Sequence, residues 1–328
     1  MDNVTISHCN IINNTALTGY AGAIEWGGPN GRIEYCNLIN NSAPNDYAGA
    51  IKWDAVNGTV VCCNFTNNSA KNFGGAIYWN NAENGNVSEC NFTLNHADNG
   101  GAIRWDGKNG NVIHSNFTSN YASDCGAIYW NNGVGNISDC DFANNHALYT
   151  GAVGITEHGL DTSISYCNFT NNTANSYGGA VYWNGDNGFI LNAVFNDNHV
   201  NEEDASGGAI YWCGSDKTGM IEGSNFTNNS APVKGGAIYV ESSIDMMYSN
   251  FINNSATGGG AAYVEGDSST ISDCNFTSNN AKDIGGAVHW MGSDGRVLNT
   301  LFIDNHVLDE DAFGGAIFWG DEYEGEEI

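Results

Sequence analysis

Two short patterns alternate along the chain at a nearly fixed interval, and that periodicity restricts the fold more than any other property of the sequence. The first reads Gly-Ala-Ile-x-Trp and the second Cys-Asn-Phe-Thr-x-Asn-x-Ala, and each recurs twelve times. The first opens at Gly22, Gly49, Gly75, Gly101, Gly126, Gly151, Gly179, Gly208, Gly236, Gly260, Gly286 and Gly315, so the period wanders between 24 and 29 residues while the anchors stay intact. A unit this short cannot bury its own apolar face, and neighbouring units must stack to do so. The expected fold is therefore all-β: a right-handed parallel β-helix, a solenoid of about twelve turns with three short strands per turn. It is expected to occupy residues 1–320 as one repeat domain, with an acidic C-terminal tail at 321–328.

Alternation inside the anchors gives the register. In Gly75-Ala76-Ile77-Tyr78-Trp79 the Tyr78 position is elsewhere Glu25, Lys52, Arg104 and His289. It is expected to face water, which turns Ile77 and Trp79 inward. Val87, Cys90 and Phe92 are the apolar positions of the second pattern, and the mismatched parity of Val87 and Cys90 requires a bend between two strands. Three residues after Phe every turn carries Asn, from Asn14 to Asn305, expected to form an amide ladder along the axis and to tolerate left-handed backbone. Twelve turns at the spacing of neighbouring strands make a rod about 55 Å long.

Composition agrees with this picture: hydrophobic residues make up 41%, enough for a continuous core, while 43 Gly and only 3 Pro suit many tight turns. With 9 Lys and Arg against 37 Asp and Glu, the net charge of -28 repels nucleic acid and anionic membrane and leaves cations or neutral ligands as suitable partners. No apolar run is long enough to span a bilayer, and Met1 leads straight into repeat material, so a signal and an anchor are expected outside this sequence. The charged residues after Gly320 are expected to blunt the last strand edges; the first turn has nothing comparable, so pairing with further solenoid or end-to-end self-association is expected there.

The pairing of Gly-Gly-Ala-Ile at Gly74 to Ile77 with Phe-x-x-Asn at Phe65 to Asn68 resembles the repeats of chlamydial polymorphic outer-membrane proteins. The Asn-rich form running from Cys63 to Trp79 is also similar to the adhesin-like β-helix proteins of methanogenic archaea. The resemblance runs through essentially the whole chain. It implies an extracellular, cell-surface β-helix with a role in attachment, and it supplies no catalytic residues. This chain departs from the pattern at Ile155, Val240 and Val264 in place of Trp, and at Ala193 and Thr300 in place of Cys.

Four features carry candidate chemistry. Cys9, Cys36, Cys63, Cys90, Cys140, Cys167 and Cys274 share one inward column. They read as buried free thiols, with disulfides as the alternative, because in-register parallel side chains point the same way. His96, His146, His199 and His306 share the position after the ladder Asn, on turns too far apart to share one ion; they read as hydrogen-bonded turn residues. Two acidic loops, Glu202-Glu203-Asp204 and Asp309-Glu310-Asp311, offer carboxylates of the kind Ca²⁺ takes, although a solvated charged loop is the plainer reading. Finally, Tyr182, Tyr211, Tyr239, Tyr263, His289 and Phe318 occupy the outward position on six successive turns. They are expected to form a flat aromatic track, the candidate ligand-binding face, with the first turns as spacer. The plainer reading of that track is cross-strand pairing that stabilises a sheet.

These features favour a non-enzymatic, adhesin-like module that attaches to a glycan or protein on a host or neighbouring microbe. Two alternatives stand beside it. One is a polysaccharide-degrading lyase or glycoside hydrolase, which needs outward Asp/Glu, Arg and His converging in a cleft on consecutive turns. The other is a purely structural stalk without a concavity.

Overall fold

The computed structural model describes residues 3–214 and 219–320; the acidic segment 321–328 lies outside them. Every regular element among the described residues is a β-strand, most of them three residues long. The strands stack as a parallel β-solenoid of twelve turns, in three twelve-stranded sheets. The first sheet runs from Thr5–Ser7 to Arg296–Leu298, the second from Asn10–Ile12 to Leu301–Ile303, and the Gly-Ala-Ile-x-Trp sheet from Ile24–Trp26 to Ile317–Trp319. Between the second sheet and the Trp sheet lies a narrower stack of mostly two-residue strands, such as Ser42–Ala43 and His96–Ala97, which the expectation of three strands per turn did not include. Register is kept turn by turn: Ile77, Tyr78 and Trp79 pair with Ile103, Arg104 and Trp105.

The corners explain how a flat ribbon closes. Between the first and second sheets the residue before the Cys column adopts left-handed backbone, for example Glu89 at φ 54 and Tyr166 at φ 54, which is the bend required between Val87 and Cys90. At the next corner the left-handed residue is the one before the ladder Asn, such as Asn67 or Leu94, and not the ladder Asn itself. At the corner before the Trp sheet, a Cβ on Gly75 would stand 2.0 Å from the carbonyl oxygen of Gly101, so only glycine lets consecutive turns approach there.

The interior is built from stacked identical side chains. Trp53, Trp79, Trp105 and Trp130 stack at 4.6 to 4.9 Å, each buried indole donating to a carbonyl of its own turn, as Trp53 does to Ala55 at 2.8 Å. Phe65 through Phe302 form a second stack with rungs 4.5 to 5.1 Å apart. The Asn ladder is unbroken from Asn14 to Asn305. Within it, Asn145 Oδ1 accepts from both the backbone and the side-chain amide of Asn120, while its Nδ2 donates to Phe117 O and Asn172 Oδ1. From Asn41 to Asn279 these amides are buried and paired, so they order the core without leaving a polar group orphaned.

All ten cysteines are free thiols. In the inward column each thiol donates to the carbonyl two residues earlier, as Cys63 does to Val61 at 3.2 Å, and its sulfur accepts the backbone N–H of the preceding turn, Cys36. Ser115 makes the same two bonds, to Ile113 O and from Cys90 N, which is why Ser and Cys exchange freely in this slot.

Candidate functional site

The x position of Gly-Ala-Ile-x-Trp forms one continuous column on the outer side of the Trp sheet. Consecutive rings touch along the second half of the rod: Tyr182 to Tyr211 at 5.7 Å, Tyr211 to Tyr239 at 4.8 Å, Tyr239 to Tyr263 at 5.7 Å, Tyr263 to His289 at 4.3 Å and His289 to Phe318 at 5.2 Å. The six residues read as a track are thus brought together. They do not form an exposed surface, however. Tyr239, Tyr263 and His289 are buried at 6%, 1% and 0% exposure, and Tyr182, Tyr211 and Phe318 are half-buried.

The cause is the chain on either flank. On one side, residues just ahead of the Gly-Ala-Ile corner lean over the column: Tyr177 meets Tyr211 edge-on at 4.9 Å, the Lys234 ammonium lies 4.6 Å from the Tyr263 ring, and Phe313 stands 6.1 Å from Phe318. On the other side the phenol hydroxyls are captured by the next turn. Tyr211 donates to Glu241, Tyr239 to Glu265 at 2.9 Å, and Tyr263 to Met291 Sδ at 2.8 Å, while Tyr182 accepts from Cys213. The column continues into the first turns, where Lys52 pairs with Asp54 at 2.6 Å and Arg104 lies over the rings of Phe73 and Tyr129. It is a seam largely covered from both flanks, and alternation alone carries no information about the loops that cover it.

One turn interrupts the seam. The sixth carries Gly154 where every other turn has a side chain, between Tyr129 below and Tyr182 above. A cavity of 340 Å³ opens there, bounded by these two tyrosines and floored by Gly154 and Cys125. Asp124, Asn131, Thr156, Glu157, His158 and Asn184 complete its lining. A second hollow of 250 Å³, lined by Tyr149, Thr150 and Tyr177, shares Asp124 and Tyr182 with the first. The sequence carries a signal here: Cys125 and Thr150 stand at the first Gly of Gly-Gly, Gly154 at the column position and Ile155 at the Trp position.

The floor fixes the glycine. A Cβ at residue 154 would lie 2.3 Å from Cys125 Sγ, so the thiol occupies the place from which a column side chain would grow. Burial pushes the Cys125 thiol well above its ordinary range, reinforced by the adjacent Asp124 carboxyl, to which it donates. Burial likewise raises Asp124, opposed by the Cys125 hydrogen bond and by Arg104. Tyr129 is pushed up to about 12, again chiefly by burial, and Tyr182 is raised by burial and by its hydrogen bond with Cys213. The site therefore presents two protonated phenols, a partly withdrawn carboxyl, two carboxamides and a thiol held in its unreactive form. That is equipment for binding a polar ligand with a flat face.

The acidic loops behave differently from a metal centre. Glu202, Glu203, Asp204, Asp309, Glu310 and Asp311 are all exposed; Glu202 accepts from Ser176 at 2.9 Å and Asp309 lies 3.8 Å from the Lys282 ammonium. Among the described residues no three His, Cys, Asp or Glu side chains gather as a set that could hold a metal ion. The second loop stands beside the seam, since Asp309 to Asp311 border a hollow of 310 Å³ with Phe313. Of the shared histidine position, His96 and His146 stack on Tyr121 between them, at 4.9 and 5.5 Å, and His199 lies 3.2 Å from the Thr173 hydroxyl. No helix among the described residues is long and apolar enough to cross a membrane.

Three stretches, residues 63–78, 166–182 and 223–241, match the model of the Chlamydia polymorphic membrane protein repeat. Each runs from the second sheet, past the Asn ladder and the glycine corner, to or beyond the column residue, and the middle one ends on Tyr182 beside the cavity. No curated protein and no solved structure matches the chain. What the chain is similar to is therefore the chlamydial polymorphic membrane protein repeat, recognised separately at three of its turns.

Proposed function

We propose that this chain is a non-enzymatic, adhesin-like module of a cell surface, a stiff extracellular rod that carries a binding face to a glycan or protein of a host or neighbouring microbe. The observation that carries the reading is the match to a surface-protein repeat at three turns spread along the rod. The Asn-rich repeats, similar to those of methanogen adhesin-like proteins, point the same way. A stack held by ladders on every turn is mechanically continuous, which suits display at a distance from an anchor. Its charge of -28 opposes close approach to anionic lipid and favours a neutral or cationic partner.

The test is saturable binding of the purified protein to intact cells and to their extracted surface polysaccharides and proteins, with and without Ca²⁺. Binding to at least one such surface is expected; its absence, with the circular-dichroism spectrum of a folded β protein, would contradict the reading. A polysaccharide-degrading enzyme is the second reading, because Asp124 and Glu157 line one cavity. Against it, the side chain of Glu157 is 72% exposed and carries only a neighbouring His158 at 3.6 Å, with no buried acid–base pair built around it. Release of reducing ends or unsaturated products from a bound polymer would favour the enzyme.

A further inference from the structure

We infer that the gap at Gly154 is a saccharide subsite, in which one neutral or amino-bearing pyranose ring takes the place of the missing rung between Tyr129 and Tyr182. This rests on the reading of the chain as a surface-binding module and names what its site takes.

Tyr129 and Tyr182 stand at the same position on strands two apart, with Gly154 on the strand between. Two strand spacings amount to about 9.6 Å. Half of that is the distance at which this protein stacks rings elsewhere, 4.5 to 5.1 Å in the Phe ladder. One flat group in the gap would thus contact both tyrosines at stacking distance. The remaining faces are already used: Arg104 lies 4.7 Å from the centre of the Tyr129 ring, and Tyr211 stacks on Tyr182. Tyr177 also lies tilted against Tyr182, at 6.1 Å, and both Tyr129 and Tyr182 border the cavity. Of the twelve column positions in the sequence only 154 is glycine, and a Cβ there would lie 2.3 Å from Cys125 Sγ.

The rim selects the occupant. Asp124, Asn131, Thr156, Glu157 and Asn184 surround a slot only one ring thick. A partner's aromatic side chain would use the tyrosine faces and leave these groups without a role. A pyranose uses both, placing C–H faces on the rings and hydroxyls toward carboxylate and amide acceptors and donors. Two carboxylates in the lining and the charge of the whole chain disfavour uronates and sulfated sugars. The volume of 340 Å³ lies at the lower end of the range for ligand pockets, about 300 to 1,000 Å³, and so suits a single unit of a longer chain running across the rod.

The decisive experiment fills the gap from within. In Cys125→Ala/Gly154→Tyr the obstructing thiol is gone, the Cβ at residue 125 would remain 3.8 Å from the new one, and a tyrosine completes the seam. Cys125→Ala alone leaves the gap open. Wild type, the single and the double variant are titrated with neutral, amino-sugar and uronate oligosaccharides and with a Tyr/Trp-rich peptide set, each variant's melting temperature being recorded. The expected result is binding of at least one neutral or amino-sugar oligosaccharide, retained in Cys125→Ala and weakened at least about tenfold in the double variant, with an unchanged or higher melting temperature. Failure of every sugar to bind, uronates alone binding, peptides alone binding, or equal sugar affinity in the double variant would each overturn the subsite. If the double variant melts early, Asp124→Asn decides: sugar binding about tenfold weaker supports the site, and unchanged binding overturns it. If the wild-type protein binds cells but no sugar enters the gap, the subsite falls and the adhesin reading stands; if the wild-type protein binds no cell surface, the adhesin reading itself falls.

Discussion

The ladder amides carry an energetic asymmetry that a single substitution can expose. Replacing Asn145 by Leu removes the acceptor for two N–H groups of Asn120 and the donor to Phe117 O, all in a dry interior. Each orphaned group costs about 1 to 3 kcal/mol, so a loss of about 3 kcal/mol or more is expected in denaturant unfolding. The opposite sign is expected at Leu94, a half-exposed leucine held at φ 58 where seven of the other eleven turns place Asn. Leu94→Asn should stabilise by about 0.5 to 1 kcal/mol, because left-handed backbone is strained for leucine and tolerated by asparagine; a fall in the unfolding midpoint would contradict the corner geometry. Asp124 shows how a site residue differs from a structural one. Burial raises its folded pKa above the unfolded value, so the stability it contributes is present at low pH and lost as pH rises through the raised value. Asp124→Asn should therefore raise the melting temperature near neutral pH relative to wild type, with the difference vanishing in acid. A drop at neutral pH would mean that the carboxylate is structural.

At the level of strands and corners, the periodic pattern made most of the architecture legible, for stated physical reasons. Inward Ile, Trp and Phe follow from two-residue alternation, and the bend between Val87 and Cys90 follows from their parity; both are found. The amide ladder was legible because one residue type recurs at one position. The seam was not. Whether an outward residue meets water depends on loops that vary in length from turn to turn, and alternation carries no information about a loop folding back over the strand. A flat exposed track would make Tyr239 replaceable at little thermal cost, but Tyr239 is 6% exposed and bonded to Glu265. Tyr239→Ser is now expected to cost about 3 kcal/mol, in the range of large buried aromatic truncations, and an unchanged midpoint would show the seam to be open. The cavity was not legible for a related reason: a recurring pattern marks residues that are present, and this site is made by a side chain that is missing.

On the scale of the whole rod, stacking is modular. Removing one complete repeat should shorten the stack by one turn and let the flanking turns pair, since each turn contacts only its neighbours. This makes the gap removable while both tyrosines that bound it, with Asp124, Cys125, Asn131 and Asn184, stay in place. Excising residues 151–178 joins Thr150 to Gly179 and brings Tyr129 into register with Tyr182, closing the seam, whereas excising residues 75–100 removes a turn far from it and leaves the gap intact. The most direct test of the account is the affinity of these two shortened proteins for the cell surface or polysaccharide that the full chain binds. The account predicts that both melt cooperatively as β proteins, that the protein lacking residues 75–100 binds like the full chain, and that the one lacking residues 151–178 does not. Equal binding by the two would contradict it.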